Sequence, residues 1–347
     1  MKIFYLTSNY ISFTKAGIEY MSCLKLLGHD LVASPEDADV CVVHSEPGHV
    51  KNHLKQWPGL ADKPLAGYFV WELERLPRSF EAGVDVVDAV WTCSAFSAAA
   101  FAEYARPRGI DTHVLPHVAQ RTSPSKEDTA KMHRRLGLAG EPCRRKKPPV
   151  FYTVCDTGNA RKNFPALLRA FARLPRGAAR LVVKQYRLAL DLSAIPDVTS
   201  VPEALSEGEM AALHALCDCY VSTHRGEAWG LGMSEALSHG NIVLATGWSG
   251  NMEYMNADNA VCLGYTLRPI QTEELRALPP AYEAGMRWSD VDEDELVARM
   301  TQVVQGRLDP ELGSRARASM RRFSRNHVAN RLNALLQELA ARGKRRR

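Results

Sequence analysis

Short, nearly continuous apolar runs recur along this chain, and stretches of helical period separate them. The first half reads as strands "KIFYLTS" (2–8), "DLVAS" (30–34), "DVCVVHS" (39–45), "PLAGYFVWE" (64–72), "AVWTCS" (89–94) and a closing "THVLPHV" (112–118), with helices near 15–27 and over "AFSAAAFAEYA" (95–105). The second half repeats the rhythm with "VFYTVCD" (150–156), "RLVVKQ" (180–185), "DCYVSTH" (218–224), "NIVLATG" (241–247) and "AVCLGYT" (260–266), and helices near 163–174, 206–216 and 232–239. Strands that are apolar on both faces and alternate with helices belong to parallel sheets covered on both sides. Two doubly wound α/β domains are therefore expected, 1–120 and 150–310. Between them, 121–149 turns polar around "KEDTAKMHRRLGL" (126–138) and the basic "RRKKPP" (144–149), while 311–347 reads as a helical stretch broken once and a basic tail, "RGKRRR".

Composition narrows the function classes. At 347 residues and 46% hydrophobic content the chain is long enough for two packed cores. Much of the formal net charge of +5 sits in the two basic runs, where attraction to anionic lipid or phosphate competes with the plainer role of a solvated linker and tail. No basic stretch is interleaved with aromatics, so nucleic acid is not an expected partner. Nor does any apolar run approach the ~20 residues needed to cross a bilayer, and the N-terminus lacks a signal-peptide pattern. The eight cysteines (23, 41, 93, 143, 155, 217, 219, 262) lie scattered in strand-like runs without CxxC pairs, which fits free thiols in a reducing cytoplasm. Cys217 and Cys219 share one face of a strand rather than a metal-site spacing.

The stretch "RGEAWGLGMSEALSHGN" (225–241) carries the functional signal. It reads as a glycine-rich turn after a strand, then a short helix stopped by Gly240. Glu227 falls in the loop at the strand's carboxyl end, and Glu235 on the first turns of the helix. Ligands of doubly wound sheets bind at such strand ends. A helix N-terminus, here at Gly230 and Leu231, suits phosphate, and carboxylates accept from hydroxyls. A ligand with phosphates at its centre and polyols at both ends would engage all of these groups, and a nucleotide sugar has that form.

"HRGEAWGLGMSEALSHGNIVLATGWSGNMEYM" resembles the E-x7-E region of the retaining group 1 (family four-like) glycosyltransferases of GT-B fold, with Glu227 and Glu235 on the two glutamates. The resemblance extends over "VFYTVCDTGNARKNFPALLRAF" and "LSEGEMAALHALCDCYVSTH" and is looser in the first half. It implies two Rossmann-like domains facing a cleft, the donor in the second and the acceptor beside the first. It also implies a metal-independent hexosyltransferase, since no DxD-type cluster is present in the motif region. The donor would be a UDP- or GDP-sugar and the acceptor a carbohydrate or lipid-linked hydroxyl, in polysaccharide or glycolipid assembly. Glu227 would hold a donor-sugar hydroxyl, Glu235 the ribose, and Lys162 the leaving phosphate, with backbone N–H groups near Gly250 and Asn251.

Departures from that pattern are visible. Asp156 stands where the clamp arginine is expected, leaving Arg161 or Lys184 as substitutes. The usual histidine facing the donor sugar gives way to Trp71 and Glu72, which become acceptor-side candidates with the strand-end His44 and His117. The first-loop glycine pair is reduced to "KAG". The missing arginine favours a rival, a nucleotide-sugar-binding partner of the same fold that transfers nothing. A nicotinamide dehydrogenase lacks support, because "TSNYISFTKAG" holds no G-x-G-x-x-G. "HVKNHLKQWPGL" (49–60), where Lys51, Lys55 and Trp57 mix on one helix, is a candidate for peripheral membrane contact, set against an ordinary surface helix with Trp57 packed inward.

Overall fold

The computed structural model describes residues 1–8, 10–119, 121–138, 148–187 and 189–346, without the side chains of residues 11, 12 and 343–346. Cys143 and residues 144–147 of the basic run lie outside the described residues. The apolar runs form two six-stranded sheets. In the first, β1 (Lys2–Thr7), β2 (Asp30–Leu31), β3 (Val40–His44), β4 (Leu65–Tyr68), β5 (Ala89–Thr92) and β6 (Asp111–Val114) lie in the order β2-β1-β3-β4-β5-β6, and the pairings are parallel. Helices α1 (Ile11–Leu26), α2 (Val50–Gln56), α3 (Arg78–Val84) and α4 (Ala95–Ala105) connect its strands. Capping of α4 is local: the Ser94 hydroxyl accepts from the Ser97 N–H.

After α5 (Lys126–Arg135) comes the second sheet, of β7 (Val150–Cys155), β8 (Arg180–Gln185), β9 (Val198–Val201), β10 (Cys219–Ser222), β11 (Ile242–Thr246) and β12 (Val261–Leu263). Their order is β12-β11-β10-β7-β8-β9, again parallel, with α6 (Phe164–Ala172), α7 (Glu207–Leu216) and α8 (Leu231–His239) as crossovers. The strand expected over 260–266 is divided at Gly264, whose N–H donates to Glu295 while its carbonyl accepts from Asp292. Beyond it β13 (Tyr265–Pro269) pairs antiparallel with β14 (Arg287–Val291), with the short α9 (Thr272–Leu275) between them. Two further differences are physical. "DLVAS" contributes only Asp30–Leu31, and β9 is an edge strand whose half-buried "VTSV" carries too weak an apolar pattern to be read.

At the C-terminus α10 (Glu293–Val304) and α11 (Leu312–Ser319) precede the break, which falls at Ser324, in extended backbone (φ −61, ψ 156). Beyond it α12 (Arg325–Arg346) crosses back to the first domain and packs on α1 and β3. Arg325 pairs with Glu19 at 2.8 Å, and Leu332, Leu335, Leu336 and Leu339 are buried. Among the described residues no helix is long and apolar enough to cross a membrane.

The two sheets share their cores. One cluster joins Tyr20, Tyr68 and Leu115 of the first half to Trp229, Met233 and Tyr254 of the second, and another joins Trp71, Leu73 and Phe80 to Trp248, Met286 and Trp288. An apolar interface of this kind restrains relative domain motion. Trp229 is its plug: 2% exposed, its ring meets His117 at 5.6 Å, Tyr254 at 4.7 Å and Phe323 at 5.2 Å. Trp229→Ala should lower unfolding free energy by about 3–5 kcal/mol in urea titrations. An unchanged midpoint and slope would refute the plug.

Candidate active site

The turn after β10 docks directly on the first domain. A Cβ on Gly226 would lie 2.7 Å from the Glu72 carbonyl, so only glycine allows this approach. Gly230 caps α8 with φ +88, a left-handed conformation that favours glycine, and the Tyr254 hydroxyl donates to its carbonyl at 2.8 Å. Ser249 also holds a left-handed φ of 80, and its hydroxyl accepts the Glu227 N–H at 2.9 Å. Backbone strain of this kind persists where the surroundings over-determine it.

These constraints set Glu227 in a charge network. Its carboxylate pairs with Lys162, and with Arg161 Nη1 at 3.1 Å. Arg161 in turn lies 3.0 Å from Glu72, on the first domain, and donates to the Gly226 carbonyl at 2.5 Å. Tyr282 donates to the same Glu72. Arg161 therefore ties the two domains together. Behind Glu227, His224 is fully buried, its Nε2 3.0 Å from Asn251 Oδ1.

Glu235 forms a second group. One oxygen pairs with Lys15 of α1, and the other lies 3.4 Å from His214 Nε2. Lys15 reaches across 220 positions of sequence and was not anticipated; its only local sign is its place in "KAG", expected as a first loop but folded here as part of α1. Where the clamp arginine was expected, Asp156 is met by Arg187 Nη1 at 3.8 Å, and that guanidinium also sits 4.8 Å over the Tyr10 ring. Arg187 too was missed, because it lies at the end of a different strand.

Solved structures with this backbone include an α,α-trehalose-phosphate synthase (UDP-forming) from Burkholderia vietnamiensis, with TM-score 0.61, 11% identity and coverage of 95% of this chain and 78% of that one. The pneumococcal O-GlcNAc transferase GtfA, in complex with UDP and GlcNAc, gives 0.59 and 12%, with 94% of this chain covered. Sucrose-phosphate synthase from Thermosynechococcus elongatus gives 0.58 and 16%, covering 86% of this chain and 74% of that one. The chain has the GT-B fold. It spans 60% of the length of the pneumococcal transferase. No protein-family profile and no curated protein sequence matches it.

Several candidates take other places in this GT-B frame. Trp71 is 3% exposed, its indole N–H donates to the Arg75 carbonyl at 2.7 Å, and its ring packs on Phe80 and Tyr282, so it offers no face to a sugar. His44 is fully buried against Tyr5 and Tyr68; burial, then the nearby His117, holds it well below the usual histidine range. Burial likewise lowers His117 to about 3, and its Nδ1 faces Tyr20 at 3.0 Å. Lys184 is buried, donates to the Gln185 carbonyl at 2.5 Å and lies over the Tyr186 ring, apart from the Glu227 network. The Gly250 N–H donates to the Glu227 carbonyl at 2.7 Å, and the Asn251 side chain is engaged with His224 and Thr246. Both brace the turn. On α2, Lys51 and Lys55 are exposed, but Trp57 at its end packs tilted against Phe4, ring centroids 5.2 Å apart, which removes the interfacial tryptophan. Among the described residues no cluster of His, Cys, Asp and Glu could hold a metal ion.

Burial alone would raise the Glu227 carboxyl, yet Lys162 and Arg161 outweigh it and hold it at about 2, against an ordinary 4.5. For Glu235 burial is again opposed, by His214 and Lys15, and the result is also about 2. Both folded values lie below the unfolded ones, so this stabilisation is complete above about pH 4.5 and is lost as pH falls from there toward 2. Glu227→Gln should cost about 3 kcal/mol at neutral pH and flatten the acid limb of a stability-against-pH curve. An unchanged slope in that window would contradict the pairing.

Proposed function

We propose that this protein is a retaining glycosyltransferase that moves a hexose from a UDP- or GDP-sugar to the hydroxyl of a carbohydrate or lipid-linked acceptor, acting in the cytoplasm in polysaccharide or glycolipid assembly. One observation carries the reading: on a GT-B scaffold, Glu227 in the loop after β10 and Glu235 on the following α8 are each matched with a cation, and in each network a first-domain charge takes part. Glu235 accepts from the ribose hydroxyls, taking them in place of Lys15. Glu227 accepts from a hydroxyl of the donor sugar. Lys162 has three N–H donors, so it can keep Glu227 and also meet the leaving β-phosphate, where negative charge grows in the transition state. Arg187 supplies the guanidinium missing at Asp156, since Arg161 is committed to Glu72 and Glu227. The start of α8 at Gly230 and Leu231 has no side-chain cap and suits the diphosphate.

With donor phosphate and acceptor on one face of the sugar, the leaving oxygen takes the acceptor proton and configuration is retained. No step in this scheme draws on a metal ion; Lys162 and Arg187 do the neutralising. On α2, contact with an anionic membrane would rest on Lys51 and Lys55 without Trp57. The Asp156 substitution also favours a second reading, a binding partner without turnover; release of nucleoside diphosphate from a donor separates the two.

Calorimetry tests the division of labour between the carboxylates. Glu235→Ala should lose roughly 1.5–3 kcal/mol of affinity for UDP or GDP, whereas Glu227→Gln should bind the bare nucleotide nearly as the wild type does and fail in transfer. Equal losses in both variants would defeat the assignment.

A further inference from the structure

Behind Glu235 lies a hydrogen-bonded chain that the scheme above does not use. His214, on α7, is 1% exposed, and its ring is wedged between Tyr152, edge-on at 5.5 Å, and His239, stacked at 4.9 Å and 19°. Such packing leaves the imidazole no room to turn. Asn241 follows the glycine that ends α8, and its side-chain nitrogen is 2.8 Å from the His214 carbonyl, 3.3 Å from the Cys217 carbonyl and 2.7 Å from the Tyr152 hydroxyl. Carbonyls only accept, so the two of them fix which end of the amide is the nitrogen. The amide nitrogen cannot accept, so at 2.7 Å it donates one of its two hydrogens to the tyrosine oxygen; the other goes to the His214 carbonyl, and the Cys217 carbonyl at 3.3 Å only shares one of them.

That direction propagates. With its oxygen accepting from Asn241, the Tyr152 hydroxyl sends its own hydrogen to His214 Nδ1, 2.7 Å away. Nδ1 is then an acceptor, and the ring hydrogen is left on Nε2. Nε2 lies 3.4 Å from Glu235 Oε2, a long hydrogen bond whose weight is in orientation. The other Glu235 oxygen is held by Lys15, which comes from the first domain and is 43% exposed.

We propose that His214, oriented by Tyr152 and Asn241, is a positioning residue that fixes the Glu235 carboxylate for the ribose hydroxyls of the donor. This rests on the reading of Glu235 as the ribose acceptor. One carboxylate oxygen is anchored by a packed group of the same domain, and the other is held by a half-exposed lysine that a ribose hydroxyl replaces. The ligand then meets a carboxylate that is already turned toward it, so less ordering is needed on binding.

Two measurements test this. In nitrogen-15 spectra of the unliganded protein, His214, assigned by its loss in His214→Gln, should show a protonated Nε2 and an unprotonated Nδ1, and Tyr152→Phe should move both signals toward an averaged tautomer. In calorimetry with UDP and GDP, His214→Phe should raise Kd about ten- to a hundredfold. His214→Gln keeps an N–H near the Nε2 position, and it should return Kd close to the wild-type value. A proton on Nδ1 in the wild type, or wild-type affinity in His214→Phe, overturns the inference while leaving Glu235 as the ribose acceptor. Failure of the wild-type protein to bind either nucleotide overturns the reading of Glu235 and with it the role of His214.

Discussion

The guanidinium of Arg161 between Glu72 and Glu227 is the contact on which the rest of the candidate site depends. It joins a carboxylate of the first domain to one of the second, and it holds the glycine-rich turn by its donation to Gly226. Buried charges are costly unless they are paired. Here each has an opposite partner: Lys162 shares Glu227, and Tyr282 donates to Glu72. The apolar plug at Trp229 packs the turn on His117 of the first domain, and the strained Ser249 holds it from within the second by accepting the Glu227 N–H.

Glu235 is built differently. Its support from behind is rigid and comes from its own domain, whereas its front oxygen is held by a lysine of the other domain. A polyhydroxyl ligand can exchange with a half-exposed lysine at small cost, because the ammonium returns to water. The interior network at Glu227 is paired on both sides, by Lys162 and Arg161, so under the proposed function a donor phosphate would be added to Lys162 without displacing it. Two carboxylates eight positions apart thus differ in what a ligand must displace.

Much of this was legible in the sequence. "RLVVKQ" forms β8 over its full length, the helical stretch at 311–341 breaks once, and Glu227, Lys162 and Arg161 meet as a group. Local patterns carry such information: periodicity, a glycine turn, a pair of cations before a helix. Lys15, Arg187 and His214 were not legible. Each acquires its role by approaching a residue far along the chain, and no local spacing encodes that. Trp71 and His44 failed for the opposite reason, because a strand-end aromatic looks the same in sequence whether it faces the cleft or the core. The edge strand β9 was lost because half-buried "VTSV" lacks a clear alternation.

The proposed function assigns Glu235 and Lys162 to the ribose and the diphosphate of one nucleotide sugar. A crystal structure grown with a UDP- or GDP-sugar addresses that claim most directly. The ribose hydroxyls are predicted on Glu235 with Lys15 displaced, His214 unmoved behind it, and the diphosphate on Lys162. A nucleotide bound elsewhere, or a Lys15–Glu235 pair left intact beside it, would contradict the assignment.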